Sequence, residues 1–411
     1  MAVLPHPPSV LSFEDARHVV EEHAAQVRPG DMESVDLLAS VGRVLGRAVG
    51  ADRDFPPFRR AMRDGYAVRA VDLAQLPVIL DVIAEIKAGA APRDVPTQIG
   101  PGQAASIMTG APTPPGADAV VMVEYTSLSG NQVTVTRAVA SGDNVVPVGS
   151  EARQGQVLLP PGVRIDYRAI AVAASVGQDL LWVFRPPEVA ILSSGDEIVE
   201  VNKQPGPNQI RNSNSYSLAA QVQAAGGTPR ILGIAHDDAD SLRALIQEGL
   251  RSDLLLLTGG VSMGKYDLVE QVLAGFGAEF FFIGTQIQPG KPIVFGRANG
   301  KYFFGLPGNP VSTMVTFELF AKPLLEALAG MTARKLVFLH ARLKSEIKTK
   351  TGLKRFLPGT LSGEFEHAEV ELATWHGSGD VASTARSNCY IVIPSDRERI
   401  PAGEWVPVMM S

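Results

Sequence analysis

Three acidic residues each follow a segment of the sequence that is typical of a buried strand. These residues are Glu197, Asp237 and Asp267. If the strands are parallel, their carboxyl ends meet at one edge of the sheet, and we expect the three carboxylates to gather there. Mg²⁺ prefers carboxylate oxygens as ligands and often acts with phosphate groups, so the pattern suggests a magnesium site. The alternative is that acids cap the helices that follow, and capping is favoured for Asp237 and Asp238 taken alone.

A glycine-rich turn lies between the third of these strand segments and Asp267. The apolar run Leu254 to Leu257 ends at the sequence TGGVSMG, which spans Thr258 to Gly264. The backbone N–H groups of such a turn, together with the positive end of the next helix, favour a phosphate or another oxyanion. Ser262 adds a hydroxyl group. A tight turn selected for packing is the alternative, and the turn alone does not decide between the two interpretations.

Further polar turns follow in the same part of the sequence. Lys291 lies in the proline-stiffened turn QPGKP, where a cation suits an anionic ligand, although a solvated surface lysine is the plain alternative. The sequence GLPGNPVS, from Gly305 to Ser312, follows another strand-like segment. The polar loop from His376 to Asp380 could cover a site, but its spacing indicates no particular chemistry.

Two more candidate residues lie in a region of short strands and loops. Asp64 precedes a glycine in the sequence MRDGYAV, so we expect its carboxylate at a turn. Thr109 stands beside a glycine in the proline-rich loop from Ile107 to Asp118. A proline-stiffened β turn without further role is the alternative for this loop.

Helical patterns flank this β-rich region. Ser12 can cap a helix whose apolar residues recur at spacings of three and four up to Val27, and a second helical pattern runs from Val35 to Leu45. A helix is also expected from about Asp166 to Val176. This helix resembles the opening ones more than the strands before it, so the β-rich region is interpreted as an insertion into the first domain.

The region from Glu188 onward has strand-like segments that helical patterns mostly separate. We therefore predict an α/β domain with a parallel-rich sheet and right-handed crossovers, followed by a small C-terminal β domain. The strand-like segments are Val189 to Ser193, Ile231 to Ile234, Leu254 to Leu257, Phe280 to Ile283 and Tyr302 to Phe304. The predicted domains are a discontinuous linking domain of helical and mixed structure (1–50 and 154–185), the β-rich insertion (51–153), the α/β domain (186–330) and the C-terminal β domain (331–411).

The composition of the chain excludes several classes of function. The 411 residues include 37 basic and 43 acidic side chains, a net charge of −6, so we expect no general attraction to nucleic acid or to anionic membranes. With 45% hydrophobic residues, the chain has enough apolar side chains to form several hydrophobic cores. The single cysteine, Cys389, excludes an intramolecular disulfide framework and a thiolate zinc cluster, and is interpreted as a small strand residue. No run reaches transmembrane length and the first eight residues lack a secretory signal, so we expect a cytoplasmic protein.

Six motifs, in this order, resemble one known family, the molybdopterin molybdenumtransferases of the MoeA type, which are related to the E domain of gephyrin. The motifs are MRDGYAV, IMTGAPTPPGADAVV, SSGDEI, TGGVSMG, PGKP and GLPGNPVS, and they span nearly the whole chain. Any one of them is weak evidence, whereas their joint occurrence is specific to the family.

The resemblance implies a homodimer of elongated, four-domain subunits whose α/β domain has the molybdopterin-binding fold. The active cleft would lie between the α/β domain of one subunit and the β insertion of the other. The implied reaction inserts molybdenum from molybdate into adenylyl-molybdopterin, with Mg²⁺-dependent release of AMP. The implied protein partners are the molybdopterin adenylyltransferase and apo molybdoenzymes.

The resemblance also carries over roles to individual residues. Asp64 and Thr109 match the acid and the hydroxyl of the family's insertion domain, while Glu197, Asp237 and Asp267 match its acids at the α/β rim. We expect all five to act in catalysis, the last three also as metal ligands. The residues expected to bind the cofactor substrate are Gly259, Gly260, Val261, Ser262, Lys291, Pro307, Gly308, Asn309, Pro310 and Ser378.

Some positions depart from the family pattern. Some members carry two lysines where Gly284 and Gln288 stand, and Glu151 stands where an aspartate with a positive neighbour is expected. Fewer cations weaken the binding of AMP or molybdate. The alternatives are therefore a divergent paralogue that acts with tungstate, the related adenylyltransferase step, or a non-catalytic dimeric scaffold of the gephyrin E type. The four-domain layout argues against the second, and the acid cluster argues against the third.

Overall fold

The structure is a computed structural model that describes residues 10–260 and 268–410. The chain divides into two compact units. The first unit comprises the described residues of Met1–Gly46, Pro161–Asp166 and Leu180–Ser411, and the second comprises Arg47–Pro160 and Tyr167–Asp179. The four-domain division made from the sequence stays a prediction.

The helices and strands are numbered here in chain order. The helices are α1 Phe13–Gln26, α2 Tyr167–Ser175, α3 Asn214–Ala224, α4 Ala239–Gly249, α5 Leu268–Gly275, α6 Pro310–Thr316, α7 Lys322–Leu328 and α8 Val381–Ala385, with a π-helical segment at Phe317–Ala321. The strands are β1 Met32–Asp36, β2 Val49–Gly50, β3 Arg60–Ala61, β4 Gly65–Val68, β5 Val78–Ile86, β6 Gln103–Ile107, β7 Ala119–Met122, β8 Thr126–Ser129, β9 Gln132–Val135, β10 Val145–Val146, β11 Val157–Leu159, β12 Leu180–Phe184, β13 Glu188–Ser194, β14 Ile198–Val199, β15 Ile210–Arg211, β16 Thr228–Ala235, β17 Leu254–Thr258, β18 Glu279–Phe282, β19 Ile287–Gln288, β20 Val294–Ala298, β21 Lys301–Leu306, β22 Leu339–Leu343, β23 Ile347–Lys348, β24 Lys354–Ser362, β25 Glu369–Leu372, β26 Cys389–Ile393, β27 Arg399–Ile400 and β28 Trp405–Met410.

The central sheet of the first unit has the strand order β16-β13-β17-β21-β20-β18. Its first four strands are mutually parallel, as the sequence predicted, and β20 pairs antiparallel with both β21 and β18. The strand β20 was not predicted. It forms a hairpin with β21 through Asn299 and Gly300, which both have positive φ, the geometry that an Asn-Gly hairpin turn requires.

The strand β17 is buried on both faces because a hydrophobic cluster lies on each side of the sheet. Leu254 and Leu256 belong to one hydrophobic cluster, and Leu255 and Leu257 belong to another. The continuous apolar run is what a central parallel strand requires, and it fixes the point where the glycine-rich turn begins.

The first helix has the predicted position and cap. The Ser12 Oγ accepts a hydrogen bond from the backbone N–H of Asp15 at 3.1 Å, and the buried side chains of Ala16 and Val20 face the core.

The prediction of a second helix, from Val35 to Leu45, was wrong. Residues of this stretch begin in the strand β1, which pairs antiparallel with β12, and continue as turns. Asp36 Oδ1 accepts from the N–H of Ala39 at 3.0 Å, and Gly42 has a φ of 80°. These turn interactions outcompete the helix that the apolar spacing suggested.

The C-terminal part of the first unit is a six-stranded sheet with the order β19-β24-β25-β22-β28-β26. An additional pairing of β24 with β26 closes the strands β24, β25, β22, β28 and β26 into a ring, and β19 pairs with β24 outside it. Cys389 is buried in β26, where burial raises the pKa of its thiol to about 11, so the interpretation as a small strand residue is confirmed.

The second unit contains the predicted β structure. Its main sheet has the order β7-β4-β6-β5-β9-β8, and buried side chains pack on both faces. The predicted segments at 78–86, 119–123 and 133–136 correspond to β5, β7 and β9. The helix α2, expected from the sequence, also belongs to this unit.

Across the two described ranges, no helix combines the length and the apolar character needed to cross a lipid bilayer.

Candidate functional site

A cavity of about 930 Å³ opens in the first unit where several strands of the central sheet end. Glu197 follows β13, Gly259 follows β17, and Pro307 with Gly308 follows β21, and all four line the cavity. The carboxyl ends of parallel strands are where ligands bind in open α/β sheets. The predicted convergence of these strand ends is therefore present in the structure.

The glycine turn after β17 requires residues without a side chain. Gly259 and Gly260 have φ values of 85° and 63°. A Cβ atom on Gly259 would lie 2.2 Å from the carbonyl oxygen of Ser194, and one on Gly260 would lie 2.5 Å from the Ser194 Oγ. The turn thus lies directly against β13. The predicted residues Val261, Ser262 and Asp267 lie outside the described residues.

Asn214, at the start of α3, joins the ends of two strands in the cavity wall. Its Nδ2 donates to the Thr258 Oγ1 at 2.9 Å and to the carbonyl oxygen of Gly308 at 2.8 Å. Thr258 in turn donates to the carbonyl oxygen of Pro307 at 3.2 Å. The Gly308 carbonyl oxygen can only accept a hydrogen bond, and the Thr258 hydroxyl gives its own proton to Pro307. Both must therefore accept from the Asn214 Nδ2, which fixes the orientation of the amide. The Asn214 side chain therefore clamps the glycine turn to the loop that follows β21.

Asp237 has two acidic neighbours, Asp196 and Glu197, of which only Glu197 lines the cavity. Burial, and then the negative charges of Asp196 and Glu197, raise the pKa of Asp237. The N–H of Asp237 donates to Asp196 Oδ1 at 3.4 Å, and the His236 Nδ1 lies 3.1 Å from the same oxygen. Asp238, not Asp237, caps α4, since its Oδ1 accepts from the N–H of Ser241 at 2.8 Å. The cap that was favoured for Asp237 and Asp238 is thus confirmed for Asp238 and not found for Asp237.

The oxygen donors at this edge suit a hard divalent cation. Glu197 lies close enough to Asp237 for its negative charge to contribute to the raised pKa of Asp237, and a cation between two carboxylates relieves such repulsion. In the part of the chain that the structure describes, no three His, Cys, Asp or Glu side chains are grouped so that they could hold a metal ion. The third predicted acid, Asp267, lies outside that part.

The predicted cofactor-binding loops lie around the same cavity. Lys291, Pro307, Gly308, Asn309, Pro310 and Ser378 all line it. The Asn309 Nδ2 donates to the Ser378 Oγ at 2.8 Å, and the N–H of Val311 donates to the Ser378 carbonyl at 3.0 Å. The loop from His376 to Asp380 is therefore attached to the loop after β21 and forms part of the cavity wall.

Asp64 and Thr109 lie in the second unit, where the structure brings them together. The backbone N–H of Thr109 donates to Asp64 Oδ1 at 2.6 Å, and its hydroxyl donates to the same oxygen at 2.9 Å. These two bonds, the backbone one first, lower the pKa of Asp64. The residue after it must be glycine, because a Cβ on Gly65 would lie 1.8 Å from the Val121 carbonyl oxygen.

The positions that depart from the family pattern have definite environments. Gln288 lines the cavity, and Gly284 has a φ of 158°. Glu151 forms an ion pair with Arg60 at 2.6 Å in the second unit, so a positive neighbour does exist there, although it is distant in the sequence.

The sequence analysis missed several residues that line the cavity. Arg211, Asn212, Asn214 and Trp375 were not singled out. A run of polar residues, RNSNS from Arg211 to Ser215, was a usable signal, because it separates a strand from the helix α3. Trp375 carried no comparable signal in its local sequence.

The fold defines an α/β protein with a small-molecule cavity at the strand ends of its central sheet, and comparison with known proteins shows to which class it belongs. Three family models match in succession: the MoeA N-terminal region (domain I and II) at residues 11–177, a probable molybdopterin binding domain at 190–327, and the MoeA C-terminal region (domain IV) at 340–410. The chain is 35% identical to a molybdopterin molybdenumtransferase from a Nostoc species, over 92% of this chain and 88% of that protein.

A relative from Bacillus subtilis with the same name is 35% identical, over 93% of this chain and 90% of its own length. Among solved structures, a molybdopterin biosynthesis MoeA protein from Pyrococcus horikoshii matches with a TM-score of 0.79 and 30% identity, over 98% of this chain and 100% of that one. The chain belongs to the molybdopterin molybdenumtransferase (MoeA) family. The protein is therefore a transferase.

Proposed function

We propose that this protein inserts molybdenum from molybdate into adenylyl-molybdopterin and releases AMP, with Mg²⁺ as cofactor. The observation that carries the proposal is the cavity at the strand ends, which combines the glycine turn at Gly259, the cation of Lys291 and the acid Glu197. A substrate with a phosphoanhydride and an oxyanion needs backbone donors, a cation and a metal-binding acid in one place.

The cavity also has walls that suit both ends of such a substrate. Apolar and aromatic side chains that can contact a flat pterin ring also line the cavity, namely those of Ile198, Ile287, Leu353 and Trp375. Polar groups from the loops that hold Asn309 and Ser378 remain for its charged end. A volume of about 930 Å³ is within the range of small-molecule sites.

Each group in the proposal has a defined task. Glu197 and Asp237, with Asp267, would hold Mg²⁺, which would neutralise the charge of the phosphoanhydride as the bond to AMP breaks. The turn at Gly259 and Gly260 would bind the pterin phosphate through backbone N–H groups, and the Asn214 clamp keeps that turn in place. Asp64, which Thr109 keeps ionised, would accept hydrogen bonds from the substrate or orient it.

The proposal extends to assembly and location. We propose a homodimer, because the resemblance places the acid and hydroxyl of one subunit's insertion domain at the cleft of the other. Delivery of substrate by the molybdopterin adenylyltransferase and transfer of product to apo molybdoenzymes complete the proposal. A cytoplasmic location is proposed as well, since the single thiol has no disulfide partner within the chain.

The direct test is an assay of AMP release. Purified protein with adenylyl-molybdopterin, Mg²⁺ and molybdate should release AMP and yield a cofactor that restores activity to an apo molybdoenzyme. The Glu197→Gln variant is expected to lower the rate about 100-fold or more, because it removes a carboxylate from the metal edge. Tungstate is run in parallel, and a higher rate with tungstate would identify the divergent paralogue. AMP release no faster than without protein would refute the proposed function.

A further inference from the structure

The cavity wall carries an excess of positive charge. Its charged residues within the described chain are one acid, Glu197, and two bases, Arg211 and Lys291. We find no ion pair between either base and another described residue. The chain as a whole has a net charge of −6 and Asp196 and Asp237 lie near Glu197, so Arg211 and Lys291 supply the positive charge that an anion would meet in this wall.

The guanidinium of Arg211 is held by one of its two edges. Its Nε–H donates to the carbonyl oxygen of Lys203 at 3.2 Å, and its Nη2 lies 3.5 Å from the Gln204 Oε1. Both partners are neutral and both lie on the Nε side of the group. The opposite edge, formed by Nη1 and the second proton of Nη2, has no hydrogen-bond partner among the residues that the structure describes.

The backbone ties Arg211 to the acid edge of the cavity. The strand β15, which ends at Arg211, pairs in parallel with β14, which begins directly after Glu197. The N–H of Ile210 donates to the carbonyl oxygen of Glu197 at 2.8 Å. Arg211 therefore occupies a fixed place beside a proposed metal ligand, and it lines the same cavity as Lys291.

We propose that Arg211 is a further binding residue of the oxyanion subsite expected at Lys291, and that its unpartnered edge donates two parallel hydrogen bonds to a tetrahedral anion there. The planar fork of arginine matches the spacing of two oxygens on such an anion, and lysine adds a point charge. The subsite rests on the proposed function, whose substrates contain two anions of this shape, molybdate and a phosphate group. Arg211 supplies the charge that Gln288, in the same wall, does not carry.

The test is direct titration of the full-length protein with molybdate and, separately, with AMP, at low ionic strength. The Arg211→Gln variant should weaken the binding of at least one of these anions about tenfold to a hundredfold, because two charge-assisted hydrogen bonds are lost. Arg211→Lys keeps the charge but not the fork, and its loss should be intermediate. Lys291→Gln should weaken the same anion.

Arg243→Gln is the matched control. Arg243 is an exposed arginine on α4 that does not line the cavity, and its substitution changes the net charge by the same amount. Anion binding by this variant should stay within about twofold of the original protein. Circular dichroism of each variant checks the fold, and Arg211→Lys provides a second, milder variant at the same position.

The pattern of losses identifies the bound anion. Weaker binding of molybdate alone assigns the subsite to the metal oxyanion, and weaker binding of AMP alone assigns it to the substrate phosphate. If Arg211→Gln changes neither more than Arg243→Gln does, or if the original protein binds neither anion, the subsite does not exist. Normal anion binding with no AMP release in the insertion assay would instead refute the proposed function and leave the subsite intact.

Discussion

Asp64 is an exposed carboxylate whose chemistry is set by one neighbour. Both the backbone N–H and the hydroxyl of Thr109 donate to its Oδ1, and these bonds lower the pKa of Asp64. Because the folded pKa lies below the unfolded one, the ionised carboxylate stabilises the fold above the unfolded pKa. That stabilisation disappears as the pH falls through the folded pKa. The pair thus keeps a negative charge available at mildly acidic pH.

The hydroxyl of Thr109 can be removed without removing the backbone bond. In Thr109→Val the pKa of Asp64 should rise part of the way towards its ordinary value, so the acidic limb of the pH–rate profile should move to higher pH. The rate at neutral pH should fall about tenfold or less, since the carboxylate is still ionised there. Measurement of kcat/KM against pH checks this.

Asp64→Asn is the comparison for the Thr109 variant. It should lower the rate about 100-fold or more at every pH, and its acidic limb should no longer report this carboxylate. A pH–rate profile of Thr109→Val that coincides with that of the original protein would show that the Thr109 hydroxyl does not tune the pKa of the Asp64 carboxylate.

The glycine turn after β17 is the element on which the cavity most depends. A methyl group at Gly259 would meet the Ser194 carbonyl at 2.2 Å, and the φ of 85° disfavours any residue with a side chain. Gly259→Ala is therefore expected to cost about 2–4 kcal/mol of unfolding free energy and to abolish substrate binding. Chemical denaturation and titration with molybdate and AMP measure the two effects.

Gly275, at the end of α5, provides the control for this substitution. A Cβ atom there would meet nothing within 4 Å, and its φ is not in the left-handed region. Gly275→Ala should leave stability unchanged or raise it by up to about 1 kcal/mol. If both alanine variants have the same stability as the original protein, the turn at Gly259 is not constrained in the way that the structure indicates.

At the level of elements, the helices and strands that depend on interactions between near neighbours in the chain could be predicted from the sequence. The four leucines of β17, the Ser12 cap of α1 and the helix α2 were all recognisable, because periodicity and capping act over a few residues. The strand β20 could also have been found from Asn299 and Gly300, which mark its hairpin turn. The helix predicted at 35–45 was wrong because local turn hydrogen bonds outweigh the helical spacing of its apolar residues.

The candidate site was less predictable than the fold. Glu197 and Lys291 could be singled out because each stands in a recognisable motif, whereas Ser378 was named only through the family resemblance. The structure places all three in one cavity wall. The polar run from Arg211 to Ser215 marks the start of a helix, but it does not show that Arg211 lines the cavity, because that place depends on the pairing of two very short strands, β14 and β15. Such pairing is set by tertiary contacts and leaves no periodic signal in the sequence.

At the scale of the whole molecule, the catalytic candidates are divided between the two units. Asp64 and Thr109 lie in the second unit, and Glu197 and Asp237 lie in the first. The proposed homodimer gives this division a function, because a closed two-fold assembly contains two identical sites that can each draw on both subunits.

A mixing experiment tests the shared site. Asp64→Asn and Glu197→Gln subunits are each expected to be inactive alone. When they are unfolded, mixed in equal amounts and refolded together, half of the dimers are mixed and each mixed dimer has one intact site, so about a quarter of the original activity should return. Sedimentation of the mixture confirms the dimer, and each variant refolded alone is the control. Mixed samples as inactive as the separate variants would exclude sites shared between subunits.

The single cysteine has a practical consequence for such experiments. Cys389 is fully buried in β26 and its thiol has a pKa of about 11, so a maleimide reagent should react with it very slowly. A cysteine placed at Phe365, which is 96% exposed, would then carry a fluorescent label selectively without removal of the native one. The protein as it stands is a ready background for optical studies of assembly and ligand capture.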